Sequence, residues 1–184
     1  MVSRIIPVDP FDLVVFGGTG DLARRKIFPS LYRRFVDGQM PEGARVIGAA
    51  RSSMTEDEFR SFAREAILEF VNGAKSNADA LDRFIAHLSY VPIDATGEEG
   101  WEELASRIRP GVVHAFYFSV APSLFGALAE RLHNHGIADR DSRIVVEKPF
   151  GHDLSTARAL NAVLARHFDE GQIYRCLLYT SDAA

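Results

Sequence analysis

The stretch DLVVFGGTGDLA, residues 12–23, decides how the rest of the chain reads. Residues 12–16 are apolar and rich in β-branched and aromatic side chains, so they read as a buried strand. Residues 17–20 read as a tight turn, and a helical region follows to about Asp37. Pro29 falls inside that region. A proline has no N–H and its ring collides with the carbonyl four residues back, so the spacing predicts a short first turn and then a helix starting near Phe28. Gly38 suits the stop, and Pro41 keeps the chain out of helix beyond it. A glycine turn placed between a strand and a helix is the setting in which a dinucleotide pyrophosphate is held. Glycines let the backbone come close, and the free N–H groups of a helix start attract anions. Gly17, Gly18, Thr19, Gly20, Asp21 and Leu22 are the candidate residues. The alternative is a turn of the same shape that holds nothing.

Outward from this turn the chain alternates short apolar runs with longer amphipathic stretches. Strands are predicted at residues 45–50, 88–93, 112–120, 143–146 and 172–175. Helices are predicted at residues 55–72, 78–87, 98–108, 123–135 and 153–168. Thr55 with Glu58 three residues on makes a capping box, and Phe59, Phe62, Ala63, Ala66, Ile67 and Phe70 follow at helical spacing. Asp153 is the expected cap of the last helix. Strand and helix repeat about five times, which predicts an α/β, Rossmann-like, doubly wound and mostly parallel sheet. A single domain over residues 1–175 is expected, with residues 176–184 as a tail outside it.

Composition narrows the class. Apolar residues make up 47% and charged residues 25%, as in ordinary globular domains. No apolar run reaches the length of about 18 residues needed for a membrane span, and the first residues carry no apolar core of a secretory signal. The one cysteine, Cys176, rules out an internal disulfide and fits a cytoplasmic setting. A net charge of −4 gives no reason to expect nucleic acid as a partner.

Three further features carry chemistry. Arg24, Arg25 and Lys26 follow the glycine turn; the arginines read equally as a solvated basic face, and Lys26 is the better candidate for an inward contact. Arg51 stands just past the second strand, where an acidic residue would select NAD by its ribose hydroxyl and an arginine instead accommodates the extra phosphate of NADP. An exposed surface arginine is the plainer reading. Glu147-Lys148-Pro149-Phe150-Gly151 follows the fifth strand, where ligands of open α/β sheets bind, so Lys148 is placed to meet a substrate oxygen or phosphate. Residues 119–122 at the end of the fourth strand are candidates to line the same cleft. The six histidines show no metal-ligand spacing, and no G-x-S-x-G nucleophile turn is present.

Taken together, FGGTGDLARRKIFPSLYRRFVDGQMP, VIGAARSSMTEDEFR, SYVPIDA, FYFSVAPSLF and VVEKPFGHDLSTARALN resemble the glucose-6-phosphate dehydrogenase family, in order over most of residues 12–175. The resemblance implies NADP held at Gly17, Gly20, Asp21 and Leu22, Arg51 on its 2′-phosphate, and Lys148 between nicotinamide and sugar phosphate. It implies hydride transfer from C1 of glucose 6-phosphate to NADP⁺, and a homo-oligomer in the full-length enzyme. After Arg175 the family continues with an R-I-D-H-Y-L-G-K-E motif, whereas this chain reads Cys176-Leu177-Leu178-Tyr179. The substrate-binding histidine and lysine of that motif, the second domain and its general base are therefore expected to be missing. No catalytic residue is expected within the chain, and an apolar surface is expected to be left uncovered. Two other enzyme classes fit less well. Gfo/Idh/MocA-type oxidoreductases share the EKP turn but use G-x-G-x-x-G, and short-chain or epimerase-like enzymes require a Y-x-x-x-K pair that is absent. A non-catalytic nucleotide-binding module remains the alternative outside enzymes.

Overall fold

The computed structural model describes residues 8–147 and 154–176. Six strands form one sheet, β1 (Phe11–Phe16), β2 (Arg45–Ala50), β3 (Leu88–Pro92), β4 (Val113–Phe118), β5 (Arg143–Glu147) and β6 (Ile173–Cys176). Every pairing is parallel and the order is β3-β2-β1-β4-β5-β6. This is the doubly wound order expected of a Rossmann-like sheet. α1 (Phe28–Val36), α2 (Glu56–Phe70) and α3 (Ala78–Ala86) pack on one face. α4 (Trp101–Arg107), α5 (Phe125–Asn134) and α6 (Leu154–Leu164) pack on the other.

Local chemistry accounts for most of the boundaries. Thr55 Oγ1 accepts from the Glu58 N–H at 3.2 Å and Glu58 returns a carboxylate oxygen to the Thr55 N–H at 2.7 Å, so α2 starts where the capping box predicts. Pro29 does not break the chain. The helical path runs on from Asp21, widens into a π turn over Ala23–Ile27, and enters α1 with proline in its first turn. The Phe28 N–H reaches back five residues to the Ala23 carbonyl. That wider turn lies directly before the proline, which has no N–H of its own to offer.

Other predicted bounds shift. The helix expected over 98–108 begins only at Trp101, because residues 94–100 are taken up by a turn in which Asp94 accepts from the Thr96 N–H and Gly100 packs on the Pro92 carbonyl with no room for a side chain. α5 is preceded by a tight 3-10 turn, Pro122–Leu124, and two more such turns, Ala74–Ser76 and Glu170–Gln172, fill the gaps before α3 and β6. α6 ends at Leu164, four residues short of the predicted end at 168. The expected cap Asp153 lies outside the described residues.

The helices cover the two faces unequally. Phe116, Phe118, Ile144, Val146 and Ile173 are buried beneath α4, α5 and α6. On the opposite face α1–α3 cover β1–β3, and Ala115 and Tyr117 of β4 are only partly buried against them. There Val145 is half-buried and Tyr174 is 46% exposed, with the Arg143 guanidinium 5.8 Å from its ring.

The amino-terminal edge of the sheet is tied by one buried charge. Asp12 is 0% exposed, in register with Arg45 across β1 and β2. Arg45 donates to both its oxygens at 2.9 and 2.6 Å, and Arg109 adds its backbone N–H at 3.1 Å and its Nε at 3.0 Å. His114, also buried, donates from Nε2 to the Arg109 carbonyl at 2.7 Å and holds that loop. Burial alone would raise the Asp12 carboxyl, but the bonds from Arg45 and Arg109 outweigh it and hold it down at about 2. An isolated buried carboxylate would be far costlier than one met by two guanidinium forks.

The sign follows from linkage. A carboxyl held below its unfolded value of 3.8 contributes stability that is complete above about pH 4 and is lost as pH falls toward 2. At about 1.4 kcal/mol per tenfold change in proton affinity this is worth about 2 kcal/mol. Urea unfolding at pH 7, 4 and 2.5 checks it: the wild type should lose about that much more than Asp12→Asn over this range. Equal losses in both would show that Asp12 is not the group responsible.

Candidate functional site

At the carboxyl ends of the strands, β1 is flanked by β2 on one side and β4 on the other, and the connections leave in opposite directions. Such a switch point opens a crevice. The glycine turn sits at its centre. The N–H groups of Gly17 and Gly18 both donate to the Ala49 carbonyl of β2, at 2.8 and 3.2 Å. On the other side the Ser119 N–H donates to the Phe16 carbonyl at 3.0 Å, and the Ser119 carbonyl lies where a side chain on Gly17 would go, 2.0 Å from an ideal Cβ. Gly17 also takes a φ of +78°, which L side chains avoid. Gly18 is less confined, its Cβ position 3.0 Å from the Gly48 Cα.

The turn closes with the Gly20 N–H on the Gly17 carbonyl at 2.8 Å. The first bond of the following helix is Arg24 N–H to Gly20 carbonyl, 3.0 Å. The amides of Asp21, Leu22 and Ala23 precede it and belong to the helix start, whose N–H groups favour an anion. The amides of Gly17 and Gly18 are already spent on Ala49, so these glycines shape the site rather than donate to a ligand.

A cleft of about 720 Å³ runs along this turn. Thr19, Gly20, Arg51 and Ser52 line one part, Asp94 and Thr96 lie beyond the end of β3, and Val120, Ala121, Leu124 and Leu128 form an apolar wall. The predicted strand end at residues 119–122 thus lines the cleft through Val120 and Ala121. Thr19 Oγ1 and Ser52 Oγ meet at 3.2 Å across its mouth. The lining has the character of a nucleotide site: backbone and small residues at the turn, an apolar slot, and a cation at one end.

The cation is Arg51. It is exposed, and unlike Arg24, Arg25, Arg45, Arg107 and Arg109 it enters no ion pair among the described residues. Asp94, which sequence reading passed over, stands near it. The Thr96 N–H and hydroxyl, each 2.9 Å from Oδ1, hold the Asp94 carboxyl below its usual range, with the charge of Arg51 adding to them. Its position just past β3 was the available signal, since ligands of such sheets gather at strand ends.

The other candidates divide. Asp21 pairs through its carboxylate with Arg25 at 2.6 Å, and Arg24 pairs with Glu69, both guanidinium groups lying near the Phe70 ring. The arginines therefore anchor the π turn to α2. Lys26, expected to face inward, is exposed and does not line the cleft, because the π turn rotates it to the outer face. Leu22 is half-buried and packs against the core beneath α1–α3. Lys148 lies outside the described residues. The last described residue before it is held firmly: Tyr117 donates its hydroxyl to Glu147, and burial followed by this contact raises the tyrosine, while burial also raises Glu147. Among the described residues no cluster of side chains suits a metal ion.

The double constraint on Gly17 can be checked against a glycine with the same φ and open space. Gly111 has φ +77° and nothing within 4 Å of a Cβ. Gly111→Ala should cost about 1 kcal/mol of unfolding free energy and Gly17→Ala at least about 3 kcal/mol, read by chemical denaturation. Equal costs would mean that the Ser119 carbonyl yields easily.

The family model for the NAD binding domain of glucose-6-phosphate dehydrogenase matches residues 14–181. Glucose-6-phosphate 1-dehydrogenase of Rhizobium meliloti is 45% identical over 177 residues, covering 95% of this chain and 36% of that protein. The Gluconobacter oxydans enzyme is 40% identical over 172 residues, covering 91% and 35%. The crystal structure of the Mycobacterium avium enzyme superposes with a TM-score of 0.83 at 39% identity, over 91% of this chain and 36% of that one. A glucose-6-phosphate dehydrogenase solved with glucose 6-phosphate superposes at 0.79 and 28% identity. The chain spans a little over a third of the length of these relatives. It belongs to the glucose-6-phosphate dehydrogenase family, as that family's dinucleotide-binding domain.

Proposed function

We propose that the chain binds NADP in preference to NAD and is the cofactor half of an enzyme that oxidises glucose 6-phosphate at C1. The observation that carries the reading is an unpaired arginine, Arg51, lining the same cleft as a glycine turn at the switch point of the sheet. When bound, NADP⁺ would supply the acceptor for the hydride that leaves C1, giving 6-phosphoglucono-lactone. The helix start at Asp21 and Leu22, with Thr19 and Gly20 beside it, would hold the pyrophosphate, and Arg51 the 2′-phosphate. Gly17 and Gly18 keep that space open. Lys148 would lie between nicotinamide and sugar phosphate and bind both. The apolar wall of Val120, Ala121 and Leu124 would exclude water on one side.

The C1 hydroxyl proton needs a base within hydrogen-bond reach. None of the residues lining the cleft suits that role, since Asp94 is already engaged with Thr96 beside Arg51. The chain alone is therefore expected to bind NADP weakly and to turn over negligibly. In the complete protein the reading extends to a homo-oligomer of the cytoplasm serving glucose metabolism through the pentose phosphate route.

Fluorescence or thermal-shift titration of the purified chain with NADP and NAD tests the binding. NADP should bind tighter, and Arg51→Ala should weaken NADP by roughly tenfold to a hundredfold, the worth of a charge-assisted contact, while leaving NAD nearly unchanged. Equal affinities in the wild type would sink the assignment. Measured at 340 nm with glucose 6-phosphate and NADP⁺, robust NADPH formation by this chain would refute the expectation of negligible turnover.

A further inference from the structure

Tyr90 lies on β3 with 2% of its surface exposed. Its ring stacks on Phe59 of α2, 4.8 Å between centroids and 26° between planes. Phe59 in turn fills the space beside Gly48 of β2, where a Cβ would stand 2.2 Å from a ring carbon. The ring is ordinary core packing. The hydroxyl is not required by that packing, and it is aimed at backbone. It lies 2.7 Å from the Ser52 carbonyl and 3.1 Å from the Ala50 carbonyl. Those two carbonyls flank Arg51.

The two acceptors are not equivalent. A phenol has one proton to donate. The Ala50 carbonyl already receives the Ile93 N–H at 2.8 Å as the strand ladder ends. The Ser52 carbonyl lies past the end of β2, where no ladder continues, and takes the shorter contact. Ser52 is also met on its side chain by Thr19 from the glycine turn. The peptide that carries Arg51 is thus held from the core by Tyr90 and from the turn by Thr19. Burial raises the Tyr90 phenol, so it remains a donor throughout the working pH range.

We infer that Tyr90 is a positioning residue for cofactor selectivity: its hydroxyl fixes the backbone on either side of Arg51 and so sets the guanidinium where a ribose phosphate is met. The inference rests on the reading of Arg51 given above. It differs from a purely structural role in a measurable way. Loss of core packing weakens every ligand of the cleft alike. Loss of the hydroxyl frees the stretch at residues 51–54, and only a ligand with a phosphate on its adenosine ribose depends on that stretch. An oriented arginine gives up affinity when its backbone is released, because ordering it again on binding is costly.

Tyr90→Phe keeps the ring and removes the hydroxyl. In the 184-residue chain, NADP affinity should fall about three- to tenfold while NAD affinity stays within a factor of two. In an Arg51→Ala background the same substitution should change neither affinity. Without any nucleotide, amide hydrogen exchange at residues 51–54 should quicken severalfold in Tyr90→Phe and not at residues 45–50. Equal weakening of NADP and NAD, unchanged exchange at 51–54, or a variant that no longer folds would overturn the inference, since the hydroxyl would then serve the core or nothing. If Arg51→Ala leaves NADP binding intact while exchange at 51–54 still quickens, the reading of Arg51 fails and the anchoring by Tyr90 stands. If Arg51→Ala weakens NADP and Tyr90→Phe does not, the inference alone fails.

Discussion

The carbonyl of Ser119 stands where any side chain on residue 17 would have to go. That close approach forces glycine at the end of β1 and brings β1 and β4 together at the point where the sheet changes direction. The bonds from Gly17 and Gly18 to the Ala49 carbonyl pull the same turn toward β2. The turn is pinned from both neighbours, and the helix that follows has one place to start. Its first amides follow directly on Thr19 and Gly20, which line the cleft. The glycines provide shape and the helix start provides charge, two tasks that a motif read as one unit does not separate.

The two ends of the sheet solve opposite electrostatic problems. At the amino-terminal edge, Asp12 is wholly buried and is met by Arg45 and Arg109, so the charges cancel where no ligand enters. Beside the cleft, Arg24 and Arg25 are neutralised by Glu69 and Asp21. Arg51 is not, although the chain as a whole carries a net charge of −4. A local positive field thus survives in an acidic domain because the competing arginines are each taken by a carboxylate. Asp94 stays ionised near Arg51 but forms no ion pair with it, its Oδ1 being engaged by Thr96.

Sequence reading reached whatever depends on neighbours along the chain. β2 was legible to the residue, because RVIGAA is bounded by turn residues, and the start of α2 was legible because its capping box spans only four residues. Pro29 signalled a disturbance but not its form, since a π turn is a choice among backbone hydrogen bonds that no side chain announces. The misplacement of Lys26 follows directly, because one extra residue per turn rotates it outward. Asp94 and Tyr90 were not legible for a different reason. Their partners are set by the register of β3 on β2, and Tyr90 meets carbonyls 38 and 40 residues away. Helix coverage was also beyond the sequence, because amphipathic spacing shows that a helix has an inner face and not which strands it covers.

That unequal coverage divides the cleft into a finished and an unfinished half. On the β1–β3 side, α1–α3 bury the face fully, and Phe59 and Tyr90 carry that rigidity up to the peptide of Arg51. A selectivity element needs such backing, because an arginine on a loose loop would lose in ordering what it gains in contact. On the β4–β6 side the same face is covered less, Ala115 and Tyr117 being only partly buried, and Tyr117 donates its hydroxyl to Glu147 at the strand ends. In the proposed reading, the part of the site that tells NADP from NAD is built by local and core contacts within this domain. The part that moves a proton needs groups the cleft lining does not present. In that reading, selectivity of binding and competence in turnover are separable, because different groups serve them.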